Sequence, residues 1–100
     1  MQLMSPLKTL LHKKKYLLLK HDLSTAFGLI RLLARDGQAL VVIEELAEGE
    51  SSIAPERVQQ LTLALPGLAR EYTASLVRID TIQVQDSKIR HQKGIVEFHG

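Results

Sequence analysis

The stretch Asp22–Asp36, DLSTAFGLIRLLARD, is the most strongly patterned part of the chain and decides the predicted fold. Its apolar residues recur at intervals of three and four, which is the spacing of one helical face. Asp22 or Ser24 is suited to cap the first turn, and Gly37 is suited to end the helix. The pattern predicts a helix over 22–36, whose inward residues are Leu23, Ala26, Phe27, Ile30, Leu33 and Ala34.

Short apolar segments flank this stretch on both sides. Tyr16–Lys20 precedes it, and Ala39–Ile43, which is rich in β-branched residues, follows it. Apolar runs of this length are typical of buried strands, although a continued helix through Lys20 fits the first of them as well. The strand–helix–strand order predicts a parallel pair joined by a right-handed crossover.

Two prolines indicate the starts of two further helices. Ser5-Pro6 predicts a helix that ends within the lysine run 13–15, and Pro55 predicts a helix over about 54–65. Pro66-Gly67 is expected to end the second of these helices. Alternating apolar residues between Val77 and Phe98 then predict a β meander. The alternation slips by one residue near Asp80, which indicates a β-bulge or a break between two strands.

Together these elements predict one α+β domain over residues 1–100. The expected order is helix–strand–helix–strand–helix followed by the C-terminal meander, with helices on one face of a mixed four-stranded sheet. A winged helix-turn-helix is the alternative, with helices over 23–36, 40–48 and 54–65 and a two-stranded wing over 76–98. The β-branched residues at 40–43 favour the sheet.

Composition argues against several kinds of chemistry. The 100 residues contain no Cys, so neither a disulfide framework nor a thiolate metal site is available, and a cytoplasmic location is expected. No apolar stretch approaches the length of a membrane span. The four histidines lack metal-ligand spacing, and there is no glycine-rich phosphate loop or nucleophile elbow. We therefore expect no enzyme, no cofactor, no metal and no small-molecule substrate.

Charge is sorted along the chain. Residues 1–35 contain seven basic side chains and one acidic side chain, a net charge of +6, whereas residues 36–56 contain six acidic side chains and no basic ones. Such polarised surfaces favour oriented binding to a partner or to a second copy of the chain.

The sequence therefore predicts a non-enzymatic protein-interaction or assembly module that associates with a protein partner or with itself. A homodimer would form through an exposed sheet edge at Ile95–Phe98 or through the predicted helix 22–36. The basic binding residues would be Lys8, Lys13, Lys14, Lys15, Lys20, Arg31 and Arg35. The acidic partner surface would be formed by Glu44, Glu45, Glu48 and Glu50.

The alternative function is a nucleic-acid-binding domain that contacts the phosphate backbone of RNA or DNA through the cluster Lys13–Lys15. The chain has only four aromatic residues, which argues against the stacking of single-stranded bases. A peripheral membrane role for the basic, leucine-rich N-terminal helix is less favoured, because two turns are short for stable anchoring.

Overall fold

The computed structural model describes residues 9, 11–86 and 88–100 as a five-stranded sheet with one long helix. Thr9 and Leu11–Lys13 are helical and form, with the following turn at 14–15, an N-terminal turn that leads into the sheet. The elements that follow are β1 (Leu17–Thr25), β2 (Gly28–Asp36), β3 (Ala39–Leu46), α1 (Pro55–Glu71), β4 (Leu76–Gln85) and β5 (Lys88–His99).

The strands lie in the sheet in chain order, from β1 to β5. β1, β2 and β3 form an antiparallel meander, and β4 and β5 form an antiparallel hairpin. β3 and β4 are parallel and are joined by the crossover through α1, as parallel neighbours require. β1 and β5 are therefore the two edge strands of an open, mixed sheet.

The sheet has a hydrophobic cluster on each face. On the first face α1 packs Leu61, Leu65 and Leu68 against strand residues that include Leu40 and Ile79. On the second face Leu11 and Tyr16 of the N-terminal segment pack against β-strand residues that include Val41 and Ile82. β2, β3 and β4 therefore bury side chains on both faces, which is the environment that favours continuous apolar runs.

The predicted helix over 22–36 is wrong. These residues form the end of β1, the turn at Ala26-Phe27 and the whole of β2. The expected core residue Phe27 lies in that turn and is 44% exposed. Buried residues on both faces of β2 produce a spacing that imitates a helical repeat. Gly28, with φ near +126°, occupies a backbone conformation that only glycine adopts readily.

The predicted topology is wrong for the same reason. The sheet has five strands instead of four, and the segments 16–20 and 39–43 belong to a meander rather than to a parallel pair. The order helix–strand–helix–strand–helix therefore does not occur. The winged helix-turn-helix is also wrong, because residues 23–36 and 40–46 are in strands and turns. The sheet does contain a parallel pair, but it is formed by β3 and β4, which lie further along the chain.

Several local predictions are confirmed. β3 contains the predicted strand 39–43, α1 begins at Pro55, and the register of β4 against β5 shifts between Ile79 and Thr81. The predicted helix end at Pro66-Gly67 is wrong: α1 continues to Glu71, because the buried residues Leu65, Leu68 and Ala69 hold both sides of the proline against the sheet. The predicted helix start at Ser5-Pro6 lies outside the described residues.

Candidate functional site

A buried cluster of polar side chains lies on the sheet face opposite α1. Its centre is Arg78 and Asp80 of β4, which are 4% and 0% exposed. They are two residues apart on one strand, so both side chains point to the same face. Ile82, the next residue in this alternation, belongs to the apolar cluster of the second face. Charged groups this deeply buried require partners, and the cluster provides them.

The Arg78 guanidinium links two strands, β2 and β4, to the N-terminal segment. Its Nε donates to Asp80 Oδ1 at 2.9 Å, and its Nη2 donates to the Tyr16 hydroxyl at 2.6 Å and to Asp36 Oδ2 at 2.9 Å. Asp36 ends β2, so the guanidinium reaches across β3. The intervening strand presents Ala39 and Val41, whose small side chains leave room for this crossing. The guanidinium carbon also lies 5.5 Å from the centre of the Tyr16 ring.

Both oxygens of Asp80 are saturated with donors. Oδ1 accepts from Arg78 Nε and from the Gly94 backbone N–H, each at 2.9 Å. Oδ2 accepts from the Tyr16 hydroxyl at 3.2 Å and lies 2.8 Å from His91 Nε2. His91 also meets the Tyr16 ring edge-on, with the ring centres 5.9 Å apart.

A β-bulge positions these donors. Ile79 pairs with Val96 and Thr81 pairs with Gln92, so three residues of β5 lie opposite Asp80 alone. Gly94, in the middle of the three, has φ near +68°, and its N–H turns toward the carboxylate instead of joining the ladder. The irregularity predicted near Asp80 coincides with this bulge, whose extra residues belong to β5. β4 itself alternates regularly, and its apolar pattern changes phase because the buried polar residues Arg78 and Asp80 replace apolar ones on the second face.

The cluster perturbs the acid–base behaviour of its members. Burial raises the pKa of Tyr16 to about 12, and the nearby Asp80 carboxylate adds to the rise. Burial alone would also raise the pKa of Asp80, but hydrogen bonds from Arg78, the Gly94 N–H and His91 outweigh it, and the pKa falls below its usual range. The same carboxylates, Asp80 and Asp36, outweigh burial at Arg78 and raise its pKa. Within the cluster, the Asp80 carboxylate and the Arg78 guanidinium therefore stay charged, and the Tyr16 hydroxyl stays neutral.

The complete hydrogen bonding of Asp80 and Arg78 determines the role of the cluster. Asp80 has no oxygen left without a donor, and Arg78 is enclosed by its partners. The arrangement is that of a structural anchor, since it attaches the N-terminal turn to three strands. At its margin lies Asp36, whose carboxylate is 29% exposed and also lies 3.6 Å from the ammonium of Lys93. Lys93 itself is 62% exposed, so the cluster meets solvent beside an exposed cationic side chain.

The predicted basic residues fall into different environments. Lys13, Lys14 and Lys15 are exposed on the N-terminal turn directly before Tyr16. Lys20 is exposed on the edge strand β1, and Arg31 is exposed on β2. Arg35 instead faces α1, where its Nη2 donates to the Tyr72 carbonyl at the helix end at 3.2 Å. Lys8 lies outside the described residues.

Part of the predicted acidic surface is engaged within the protein. The Glu44 carboxylate accepts hydrogen bonds from Nε and Nη2 of Arg57, each at 3.1 Å, and this ion pair is largely buried. Arg57 also donates to the Leu29 carbonyl, which ties α1 to β2 and β3. Glu50 accepts from the Ala47 N–H at 2.7 Å and thereby shapes its own loop. Glu45 and Glu48 are exposed.

A second feature is a cavity of about 300 Å³ at the ends of β3 and β4 where their chains leave the sheet. Leu46, Thr81 and Gln83 form its inner wall, and Ser51 and residues 90–92 form its rim. Gln83 Nε2 donates to the carbonyls of Ala47 at 2.8 Å and Glu50 at 2.7 Å, so the loop above the cavity is fixed to the strand.

Sequence reasoning missed the residues of the buried cluster. The available signal is that Arg78 and Asp80 interrupt an apolar strand at a spacing of two, which places two opposite charges on one buried face. No pattern in the sequence connects them to Tyr16 or His91, because those contacts depend on the order of the strands.

Among residues 9, 11–86 and 88–100, no group of three or more His, Cys, Asp or Glu side chains is placed to hold a metal ion. No helix formed by these residues is both long and apolar enough to cross a membrane. Comparison with models of known protein families and with curated proteins finds no match to this chain.

Proposed function

We propose that this protein is a non-enzymatic domain that binds the phosphate backbone of a duplex nucleic acid through exposed lysines beside the buried cluster. The observation that carries the proposal is the anchoring of Tyr16. Lys13, Lys14 and Lys15 directly precede a tyrosine whose hydroxyl is held by Arg78 and Asp80. Their backbone therefore has a fixed position on the sheet, which lowers the ordering cost of binding.

A fourth lysine belongs to the same region. Arg78 Nη2 contacts both the Tyr16 hydroxyl and Asp36 Oδ2, and that carboxylate oxygen lies 3.6 Å from Lys93 Nζ. Lys93 is distant in sequence, so the fold adds its charge to the N-terminal group. We call Lys13, Lys14, Lys15 and Lys93 the lysine surface. Clustered exposed cations bind polyanions by releasing condensed counterions.

The exposed lysines are more available for binding than the predicted acidic surface is. This difference favours a polyanion over a basic protein as the partner. Glu44 is neutralised by Arg57, and Glu50 is bonded within its loop, which leaves Glu45 and Glu48 as the free members of the acidic surface. In contrast, Lys13, Lys14 and Lys15 take part in none of the ion pairs formed within the described part of the chain.

The aromatic residues favour a duplex over single strands. Tyr16 is buried in the cluster, Tyr72 and Phe98 are half-buried, and Phe27 is exposed in the turn between β1 and β2. This arrangement lacks the platform of several exposed rings that stacks successive bases. Contacts to the phosphates therefore carry the proposed binding. A cytoplasmic location belongs to this proposal, because a chain without Cys suits a reducing compartment.

An assembly module remains the second candidate, and the open edges of the sheet favour it. β5 is an edge strand, so its outer backbone groups are available to a second copy or to a protein partner. The bulge at residues 93–95 limits regular pairing to the five residues 88–92 on one side and the four residues 96–99 on the other. Lys88, Arg90 and Lys93 also lie on this edge, and charged residues and bulges are devices that discourage strand addition.

The test is fluorescence anisotropy of mixed-sequence duplex DNA and RNA across a salt series. Four lysine–phosphate contacts predict a log–log slope of about −3.6 for duplex DNA. Lys14→Gln should reduce the slope by about 1, whereas the matched variant Arg70→Gln, which removes an exposed charge on α1, should leave it unchanged.

Equal effects of the two variants would mean that binding follows net charge alone and would refute the lysine surface. If no duplex binds even at low salt, the nucleic-acid proposal fails. Sedimentation across a concentration series then tests the assembly module directly, and a strictly monomeric protein would refute its self-association.

A further inference from the structure

The cavity at the ends of β3 and β4 contains no residue of the lysine surface and shares one lining residue, His91, with the buried cluster. Thr81 and Gln83 alternate along β4 with Ile82, whose side chain lies in the cluster of the second face. They therefore face the side of the sheet that α1 covers. Ligand sites in sheets with parallel strands commonly lie where those strands end, and β3 and β4 are the parallel pair of this sheet.

The cavity wall is held in place without a ligand. Gln83 is 5% exposed, and its amide nitrogen donates both of its hydrogens to the carbonyls of Ala47 and Glu50. The Glu50 carboxylate bonds back to the Ala47 N–H at 2.7 Å. These three bonds fix the loop that carries Ser51. A wall that is already ordered reduces the entropy that a ligand would have to overcome.

The lining combines one cation with neutral polar groups. Arg90 is exposed, and within residues 9, 11–86 and 88–100 its guanidinium enters none of the ion pairs and none of the side-chain hydrogen bonds. Ser51, Thr81 and Gln92 add hydroxyl and amide donors, and none of the lining residues is acidic. The Gln83 carbonyl oxygen adds an acceptor, and Leu46 adds an apolar surface.

From this lining we propose that the cavity binds a small organic oxyanion, with Arg90 pairing with its carboxylate or phosphate group. A guanidinium presents two parallel N–H donors that match either oxyanion. The volume of about 300 Å³ exceeds what an oxyanion group alone fills, and Leu46 and the Gln83 carbonyl contact the remainder of the molecule. The sequence implies no small-molecule ligand because these residues come from β3, β4, β5 and a loop.

The test is titration of the full chain, followed by backbone amide NMR, with three probes: inorganic phosphate, ribose 5-phosphate and malonate. We expect saturable shifts at Ser51, Thr81 and Arg90 with at least one probe. Binding by the two phosphate compounds but not malonate assigns a phosphate ligand, and the reverse assigns a carboxylate. Either result supports the oxyanion site.

Two variants test whether Arg90 provides the positive charge that binds the oxyanion. Arg90→Gln should weaken the binding at least tenfold, whereas Lys88→Gln, which makes the same charge change on the same strand outside the cavity lining, should change it less than twofold. Both side chains are exposed, so both variants are expected to fold. The absence of saturable shifts with all three probes, shifts confined to Lys13–Lys15, or equal losses in both variants would overturn the proposal.

Discussion

The Tyr16 hydroxyl donates to Asp80 Oδ2 at 3.2 Å and joins residues 64 positions apart in the chain. The same hydroxyl accepts from Arg78 Nη2 at 2.6 Å, so one phenol bridges a carboxylate and a guanidinium that are both buried. Since Lys13–Lys15 directly precede Tyr16, this contact connects the interior of the sheet to the proposed binding surface.

Removing that hydroxyl should loosen the N-terminal turn. Tyr16→Phe keeps the ring in the apolar cluster but removes two hydrogen bonds to charged groups, so we expect a loss of about 2 kcal/mol in the free energy of unfolding by urea. Tyr72→Phe is the matched control, because the Tyr72 hydroxyl forms none of the hydrogen bonds of the described residues, and it should change stability by less than about 0.5 kcal/mol. Equal losses in the two variants would contradict the anchoring role.

Acid should destabilise the protein through Asp80. The folded pKa of Asp80 lies below its unfolded value near 3.8, so its stabilising contribution is present above that value and is lost as pH falls through the folded pKa. The groups that face it are Arg78, Tyr16 and His91, with Asp36 beyond the guanidinium.

The free energy of unfolding, measured between neutral pH and the acid limit, should therefore fall less steeply in Asp80→Asn than in the natural chain. At neutral pH the same variant should lose about 3 kcal/mol, because it leaves a buried guanidinium without the more deeply buried of its two carboxylates. Asp86→Asn, in an exposed turn with φ near +51°, is the control and should preserve the acid dependence. An unchanged acid slope in Asp80→Asn would exclude Asp80 as its source.

The two adjacent glutamates of β3 should behave differently. Glu44→Gln breaks the two-point contact with Arg57 that ties α1 to the sheet, and we expect a loss of about 1 to 2 kcal/mol. Glu45→Gln removes the same charge from an exposed position and should have an effect of less than about 0.5 kcal/mol. Urea unfolding measures both, and similar losses would mean that Glu44 has no special structural role.

Two glycines should respond to alanine in opposite directions. Gly94 has φ near +68° in the bulge, where a side chain costs about 1 to 2 kcal/mol, so Gly94→Ala should destabilise the protein. Gly67 lies in α1, where an added Cβ would meet only the flexible Arg70 side chain at 4.0 Å, so Gly67→Ala should stabilise the protein by up to about 1 kcal/mol. Thermal or urea unfolding compares the two, and destabilisation of similar size in both would contradict the left-handed requirement at Gly94.

Several elements were predictable because their signals are local. Pro55 has a fixed φ that suits the first turn of α1, and the β-branched run at 39–43 suits a buried strand. A register shift does lie near Asp80 as predicted, but its extra residues belong to β5, and the slip in β4 comes from polar residues on a strand that alternates regularly. Each of these inferences depends on residues within one element.

The segment 22–36 was mispredicted because periodicity alone does not separate a helix from a strand buried on both faces. Leu32, Leu33 and Ala34 are all buried in β2, two against the N-terminal segment's face and one against α1. A strand between two apolar layers loses the alternation that identifies an amphipathic strand. Because of this error, the parallel pair was predicted at segments 16–20 and 39–43, whereas β3 and β4 form it.

By itself the sequence determined the α+β class, the start of α1 and the separation of basic from acidic segments, since these depend on neighbouring residues. Only the tertiary structure decided which charges remain free. It paired Glu44 with Arg57, turned Arg35 toward the end of α1, buried Arg78 and Asp80 with Tyr16, and left Lys13–Lys15 exposed. The physical reason is that strand order and burial determine which distant groups meet, and a charge lost to a buried partner is no longer available for binding.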